Sequence, residues 1–455
     1  MKQRSEKQKT FLTSARIIPI GFLVLILFGT LLLLLPFSTV PGEHTSFLTA
    51  LFTATTSVCV TGLVVVDTYA HWTLFGKIVI LLLIQFGGLG LVAVSSAILL
   101  LLGKNVSIRN RVLLRDSFNL DSISGQRRFL FRVVRGVLFV EGLGTLLYLV
   151  SFVPRCGFFR GLWYSVFHSV SAFCNAGLDL IGPDSLASFS NDPWLLSVTM
   201  LLIVLGGLGY IVWFDLSNIV RLRIRAHRKH RLSEHTRLVL CLTAGLIVLG
   251  AALVSLLEWR NPETLGRLSV PQKLLQALFE SVTLRTAGFS VLPQQSLREP
   301  TALLACFFMF VGGSPVGTAG GVKTVTMFLL FAGAFSYVQN RNETVVCRRT
   351  ISSDLFRKAS AIVLISLSVS LLLTVALLCT ERLSLIDCLF EVFSATGTVG
   401  LSRGVTASLS PFGRCIIILG MYLGRIGPIS LALFFGRDRI EENRVQHANG
   451  QFYVG

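Results

Sequence analysis

The sequence is short of charge. Only 14% of its 455 residues are Asp, Glu, Lys or Arg, against roughly 25% in an average soluble domain. With 53% hydrophobic residues and a mean hydropathy of +0.72, the chain has too little polar surface to shield its apolar groups from water. That composition excludes an ordinary soluble domain and requires lipid. Patterned cysteine is missing as well. The nine cysteines, at positions 59, 156, 174, 241, 306, 347, 379, 388 and 415, are scattered and never spaced as CxxC. No disulfide framework or metal cage is expected, and most serve as small apolar packing residues. No HExxH, Ser/His/Asp spacing or plausible carboxylate pair occurs, and His168 falls within an apolar stretch, so an enzyme is not expected. The longest basic connection, 103–135, has 33 residues, too few for a soluble sensing domain of about 50 or more.

What the chain has is apolar run length. Stretches long enough to cross a bilayer, about 20 residues of helix, lie at 17–39, 72–102, 129–153, 193–220, 237–258, 301–338, 359–380 and 412–436. The first follows a basic start (Lys2, Arg4, Lys7, Lys9, Arg16) but is too long for the core of a cleaved signal peptide, so it reads as a retained helix. The formal charge of +18 alternates along the chain with these stretches: 28 of the 41 Lys and Arg fall in segments 1–16, 103–135, 221–237, 339–358 and 436–444. By the positive-inside rule these segments are cytoplasmic, and both termini with them. The charge is therefore a topology signal and no nucleic-acid partner is expected.

Between the stretches a string recurs four times: Ser57-Val58-Cys59-Val60-Thr61-Gly62-Leu63, Phe173-Cys174-Asn175-Ala176-Gly177-Leu178, Leu284-Arg285-Thr286-Ala287-Gly288-Phe289 and Gly397-Thr398-Val399-Gly400-Leu401. The glycines are 115, 111 and 112 residues apart, room for two membrane helices and a loop. Phe52, Phe167 and Phe390 lie ten residues before their glycine and Phe279 nine before its own, so the third copy is one residue shorter. Each glycine follows an apolar stretch of re-entrant length (46–57, 161–173, 271–284, 385–396). The expected fold is an all-α integral membrane protein of four tandem helix, pore loop and helix repeats, in fourfold pseudosymmetry around one pore. The repeats are 1–102, 103–222, 223–340 and 341–455.

Non-helical backbone at membrane depth is tolerated only where protein buries it or water reaches it. Four such loops around one axis would present a ring of backbone carbonyls, the arrangement by which a potassium filter replaces the ion's hydration shell. Glycine suits the turn because it takes positive φ without a Cβ clash. The candidate carbonyl ligands are those of Val58, Cys59, Val60, Thr61 and Gly62; Cys174, Asn175, Ala176 and Gly177; Arg285, Thr286, Ala287 and Gly288; and Gly397, Thr398, Val399 and Gly400. Asp67, Asp179 and Asp184 would concentrate cations at the mouth.

These strings resemble the four half-filters of the Trk/Ktr superfamily of potassium transporters. Three further segments resemble the Ktr membrane subunit: Ala15-Arg16-Ile17-Ile18-Pro19-Ile20-Gly21-Phe22, Gly312-Gly313-Ser314-Pro315 through Gly320-Gly321-Val322-Lys323-Thr324, and Gly424-Arg425-Ile426-Gly427-Pro428. The resemblance covers nearly the whole chain. It implies channel-like potassium uptake in a bacterial cytoplasmic membrane by a homodimer with one pore per protomer. It also implies a docked cytosolic ring of nucleotide-binding subunits responsive to ATP and ADP, with sodium as a regulatory or coupled ion and no organic cofactor. Every copy departs from the TVGYG filter of potassium channels, sharing one glycine, so fewer ordered carbonyl layers are expected. Alternating-access symport is the competing mechanism, although its usual inverted repeats differ from the parallel repeats read here.

The third inner stretch is interrupted at 311–321 by five glycines (Gly312, Gly313, Gly317, Gly320, Gly321) and Pro315, which cannot continue a stable helix. This segment reads as a gate across the path, with Lys323 opposing a cation when it faces the axis; close helix packing is the alternative. It is no Walker A loop, because Val322 separates Lys323 from the last glycine. Gly87-Gly88-Leu89-Gly90 and Gly206-Gly207-Leu208-Gly209 read as packing or flexing sites in inner helices. Arg425, costly at membrane depth, reads as a constriction opposite the loop, or as an ion pair with an acid such as Glu141. Arg285 is expected to pair with Glu280 or Glu391 behind the filter.

Overall fold

The computed structural model describes residues 14–90, 126–182, 184–226, 231–341, 343–346 and 349–427. The basic start 1–13, most of the connection 103–135, the far end of the stretch 72–102 and the segment from Pro428 onward lie outside the described residues.

The described chain is mostly helical. The first unit has α1 (Ser14–Leu33), α2 (Phe47–Cys59) and α3 (Leu74–Leu89), and the second α4 (Gln126–Cys156), α5 (Phe158–Cys174), α6 (Pro193–Gly207) and α7 (Tyr210–Ala226). The third has α8 (Glu234–Glu258), α9 (Val270–Thr283), α10 (Glu299–Phe310) and α11 (Thr324–Val338); the fourth has α12 (Ser353–Thr380), α13 (Leu385–Gly397) and α14 (Pro411–Ile426). One departure from an all-helical chain is a small antiparallel hairpin of β1 (Val345–Val346) and β2 (Arg349–Thr350).

The apolar stretches divide unequally. Among the described residues α4, α8 and α12 are each long and apolar enough to cross a bilayer alone. The stretch 193–220, read above as one span, is instead two helices: α6 and α7 meet at 101°. The cause is Gly209, whose φ of +87° turns the chain in a way only glycine does without strain. The stretch 301–338 is likewise two helices, α10 and α11, with residues 311–323 between them.

The short helices α2, α9 and α13 start on side-chain caps, whereas α5 starts at Gly157 without one. The Ser46 and Ser384 hydroxyls accept from the N–H groups of Thr49 and Asp387, both at 3.2 Å, and Ser269 with Gln272 forms a capping box. Each buries its phenylalanine fully: Phe52, Phe167, Phe279 and Phe390 are all at 0% exposure. Each short helix also packs on the inner helix of the preceding unit, α5 on α3, α9 on α6 and α13 on α10, while α2 packs on α14 of the last. The neighbour relation thus closes on itself.

Lipid is as apolar as a leucine side chain, so helices in a membrane associate through close packing. Gly87, Gly206 and Gly424 supply it. A Cβ at each would collide with the carbonyl of Val58, Phe173 or Thr396 respectively, in each case the residue four before the unit's loop glycine. Gly424→Ala should therefore lower the thermal stability of the purified protein in detergent by about 1–3 kcal/mol. Gly245→Ala, on α8 with nothing within 4 Å of the added methyl, should not. Equal unfolding temperatures for the two variants would contradict this packing.

Candidate functional site

Each of α2, α5, α9 and α13 ends at a loop glycine, and the structure brings the four glycines together. Gly62, Gly177, Gly288 and Gly400 have φ of +99°, +65°, +83° and +97°. They line one cavity of about 260 Å³. A Cβ on Gly62 would meet the Ala176 carbonyl oxygen at 2.6 Å, and one on Gly177 the Ala287 oxygen at 2.7 Å. A Cβ on Gly288 would strike the Val399 oxygen, and one on Gly400 the Thr61 oxygen. Each glycine thus abuts the carbonyl before the next glycine in the chain, and the last abuts that before the first.

Two residues before each glycine the backbone is left-handed again, at Val60 (φ +55°), Asn175 (+59°), Thr286 (+66°) and Thr398 (+52°). Such a conformation costs a β-branched residue on the order of 1–2 kcal/mol, so the surroundings must hold it. They do so through hydrogen bonds. In all four units the carbonyl of a buried Ser or Thr accepts from the N–H before the glycine: Thr56 from Thr61 (2.9 Å), Ser171 from Ala176 (2.7 Å), Thr283 from Ala287 (3.0 Å) and Ser394 from Val399 (2.8 Å). The same four hydroxyls make a second bond into the loop. Sequence reasoning passed over them, although a Ser or Thr six residues before each glycine, five in the shorter third copy, was there to be seen.

Val58, Cys59, Cys174 and Gly397 belong to the last turns of their helices and so differ from the extended loop residues. Carbonyls of a helix's last turn lack intrahelical partners and carry the negative end of its dipole. Asn175, Thr286 and Thr398 have buried side-chain polar atoms without a protein hydrogen-bond partner. At this depth such groups are costly unless water or an ion reaches them.

Asp67 and Asp179 line the same cavity, with Ser185, Ser290, Ser402 and Thr406; Asp184 is exposed and outside it. Burial pushes the Asp179 carboxyl up to about 6, opposed by hydrogen bonds from Ser185 and the backbone at Ile181 and Gly182. Arg285 is nine-tenths buried, and neither expected carboxylate pairs with it. Glu280 instead accepts from Gln294 (3.1 Å), and Glu391 from Ser402 (2.8 Å) and Thr406. Neither acid forms the ion pair read from the sequence; Glu391 is held at both oxygens by hydroxyls, and Glu280 at one oxygen by Gln294, its other oxygen being without a hydrogen-bond partner.

Beneath the loops lies the segment 311–323. Gly312 donates to the Val322 carbonyl (2.9 Å) and Val322 to Phe310 (3.1 Å), closing its neck. Ser314 and Thr318 donate to the carbonyls of Gly207 and Gly206 at the end of α6 (3.0 and 3.1 Å), and the Thr318 hydroxyl to the Phe173 carbonyl (3.1 Å). A Cβ on Gly320 would strike Thr398. Gly313 and Gly317 lie against the Gly207 carbonyl, and Gly321 against Gly312. The Lys323 ammonium turns back to the Ala319 carbonyl at 2.5 Å. It stands at the start of α11, where a helix dipole disfavours a cation.

Arg425 bridges this segment to the first unit. One nitrogen donates to the Thr318 carbonyl (2.8 Å), the other to the carbonyls of Gly87 and Gly88. Three carbonyls satisfy the guanidinium. Glu141 is engaged elsewhere, accepting from Gln85 at 3.1 Å, so the ion-pair alternative is not what the structure adopts.

Helices that cross the bilayer, joined by loops that fold back among them, define a multi-pass membrane transport protein. The chain belongs to the TrkH family, whose model, described as a cation transport protein, matches residues 3–443. It is 37% identical over 448 residues, 97% of each chain, to Ktr system potassium uptake protein B of Bacillus subtilis (strain 168). It is 36% identical over 449 residues, again 97% of each, to potassium/sodium uptake protein NtpJ of Enterococcus hirae. The crystal structure of the potassium transporter TrkH from Vibrio parahaemolyticus shares the fold, with a TM-score of 0.69 and 18% identity, covering 92% of this chain and 85% of that one. These relatives are transporters, not enzymes.

Because Arg425 ties 311–323 down with charged donors, Arg425→Met should speed amide hydrogen exchange across 312–321 about tenfold or more. Exchange in α9, which Arg425 does not touch, should be unchanged. Parent-like exchange in the loop would show that the arginine does not restrain it.

Proposed function

We propose that this protein carries potassium ions into the cell, channel-like, through a ring of backbone carbonyls supplied by four units in fourfold pseudosymmetry around one pore. The observation that carries the proposal is the closed relation among Gly62, Gly177, Gly288 and Gly400, each against the carbonyl before the next. Carbonyls so arranged can replace an ion's hydration shell, and the negative ends of four helix dipoles favour a cation over an anion beside them. The ligands are the carbonyls of the strings 58–62, 174–177, 285–288 and 397–400. The membrane potential, worth about 2.3 kcal/mol per charge at 100 mV, supplies the driving force.

The segment 311–323 is the gate. Its bonds to α6, to Phe173 and to Arg425 support a closed position under the filter, and its glycines support movement. The names of the relatives support potassium as the ion, and that of the Enterococcus relative supports a part for sodium. The word system in the Ktr names supports a separate regulatory partner, here a cytosolic nucleotide-binding ring responsive to ATP and ADP, docked on a homodimer. Both termini are cytoplasmic, in a bacterial cytoplasmic membrane. All four short helices run toward the same ring, which favours a fixed pore over alternating access.

Uptake of potassium and sodium by the purified protein in liposomes tests this reading. Gly62→Ser and Gly288→Ser should each lower potassium preference about tenfold, since each forces a side chain into positive φ and against a neighbouring carbonyl. A deletion within 312–321 should raise flux. Unaltered preference in both serine variants would reject the filter, and unchanged flux on deletion would reject the gate.

A further inference from the structure

The four hydroxyls beneath the loop glycines do not act alike. Thr56 Oγ1 accepts from the Gly62 N–H at 2.9 Å, and Ser394 Oγ from the Gly400 N–H at 3.0 Å. Ser171 and Thr283 instead donate, to the carbonyls of Leu178 and Phe289, both at 2.6 Å. The first pair grips an N–H at the glycine, and the second a carbonyl just beyond it.

In a trans peptide the carbonyl and the N–H point in opposite directions. A Gly62 N–H held back toward the end of α2 therefore aims the Thr61 carbonyl the other way, into the ring, where that oxygen lies against Gly400. The Gly400 N–H held by Ser394 likewise aims the Val399 carbonyl toward Gly288. Both hydroxyl residues are 99% or more buried, so water does not compete for the bond. In the second and third loops the hydroxyl fixes a different peptide and leaves the one before the glycine without that restraint.

We infer that Thr56 and Ser394 are specificity-determining residues, whose side-chain oxygens lock the Thr61 and Val399 carbonyls inward and so set the discrimination between potassium and the smaller sodium. This rests on the carbonyl-ring reading of the loops. Whether a filter discriminates by the size of its ring or by the number of its ligands, a peptide free to rotate erodes both. The carbonyl can follow a smaller ion inward or turn away from the axis.

The experiment is the ratio of potassium to sodium uptake by the purified full chain in liposomes. Thr56→Val keeps the shape and removes the acceptor, and Ser394→Ala removes one oxygen without adding volume. Each should lower the ratio about three- to tenfold, the range of one hydrogen bond. Thr56→Ser and Ser394→Thr, which keep the oxygen, should restore it. Thr53→Val, whose hydroxyl donates only to Thr49 within α2 at 3.0 Å, should keep the parent ratio. Gly62→Ser separates the two levels of the argument. If it lowers the ratio while Thr56→Val and Ser394→Ala hold it within twofold, the hydroxyl lock is wrong and the ring survives. If Gly62→Ser also holds the parent ratio, the ring itself fails. A loss in Thr53→Val equal to that in Thr56→Val would reduce the effect to general loosening of α2 and overturn the inference. Should Thr56→Val not fold, Ser394→Ala with its threonine rescue decides the matter alone.

Discussion

A peptide group inside a membrane has no water to bond with, and the described loops that leave the helix at 60–62, 175–177, 286–288, 398–400 and 311–323 are organised by that fact. Four times the backbone leaves the helix at depth, at the ends of α2, α5, α9 and α13. Each time the N–H before the glycine returns to a Ser or Thr carbonyl one turn back. The carbonyls of Thr61, Ala176, Ala287 and Val399 each lie against another loop's glycine. Backbone at such depth must be buried by protein or reached by water.

The same constraint shapes the layer below. The segment 311–323 can leave the helix because its N–H groups find the carbonyls freed where α6 stops at Gly206 and Gly207. Its remaining carbonyl at Thr318, with those of Gly87 and Gly88, takes the donors of Arg425. Broken helices in two units thus satisfy each other, and a cation from a third holds the joint. An arginine at this depth is expensive alone; against three carbonyls it is a fastening. Lys323 stands in the same layer, its ammonium bonded to the Ala319 carbonyl.

Much of this was legible in the sequence, and for a physical reason. Glycines that take positive φ, each with a buried phenylalanine nine or ten residues before it, recur every 111 to 115 residues. Other features were hidden. The 101° bend in the second inner stretch lies in a long apolar run, where hydropathy registers only length; the string Gly206-Gly207-Leu208-Gly209 marks a place to pack or flex but not the angle. The partners of Arg285 were misjudged because charge complementarity in a list of residues cannot show that Glu280 bonds Gln294, and Glu391 bonds Ser402 and Thr406, rather than the arginine. The hydroxyls of Thr56, Ser171, Thr283 and Ser394 vanish among many serines and threonines in apolar helices, most of which bond their own helix. Only coordinates distinguish an oxygen that caps a loop from one that does not.

The most direct test is the position of the ion. Crystals grown with rubidium in place of potassium should show an anomalous peak on the line enclosed by Gly62, Gly177, Gly288 and Gly400, within coordinating distance of the carbonyls of Thr61, Ala176, Ala287 and Val399. Ordered rubidium elsewhere in the protein, with none inside that ring, would contradict the account.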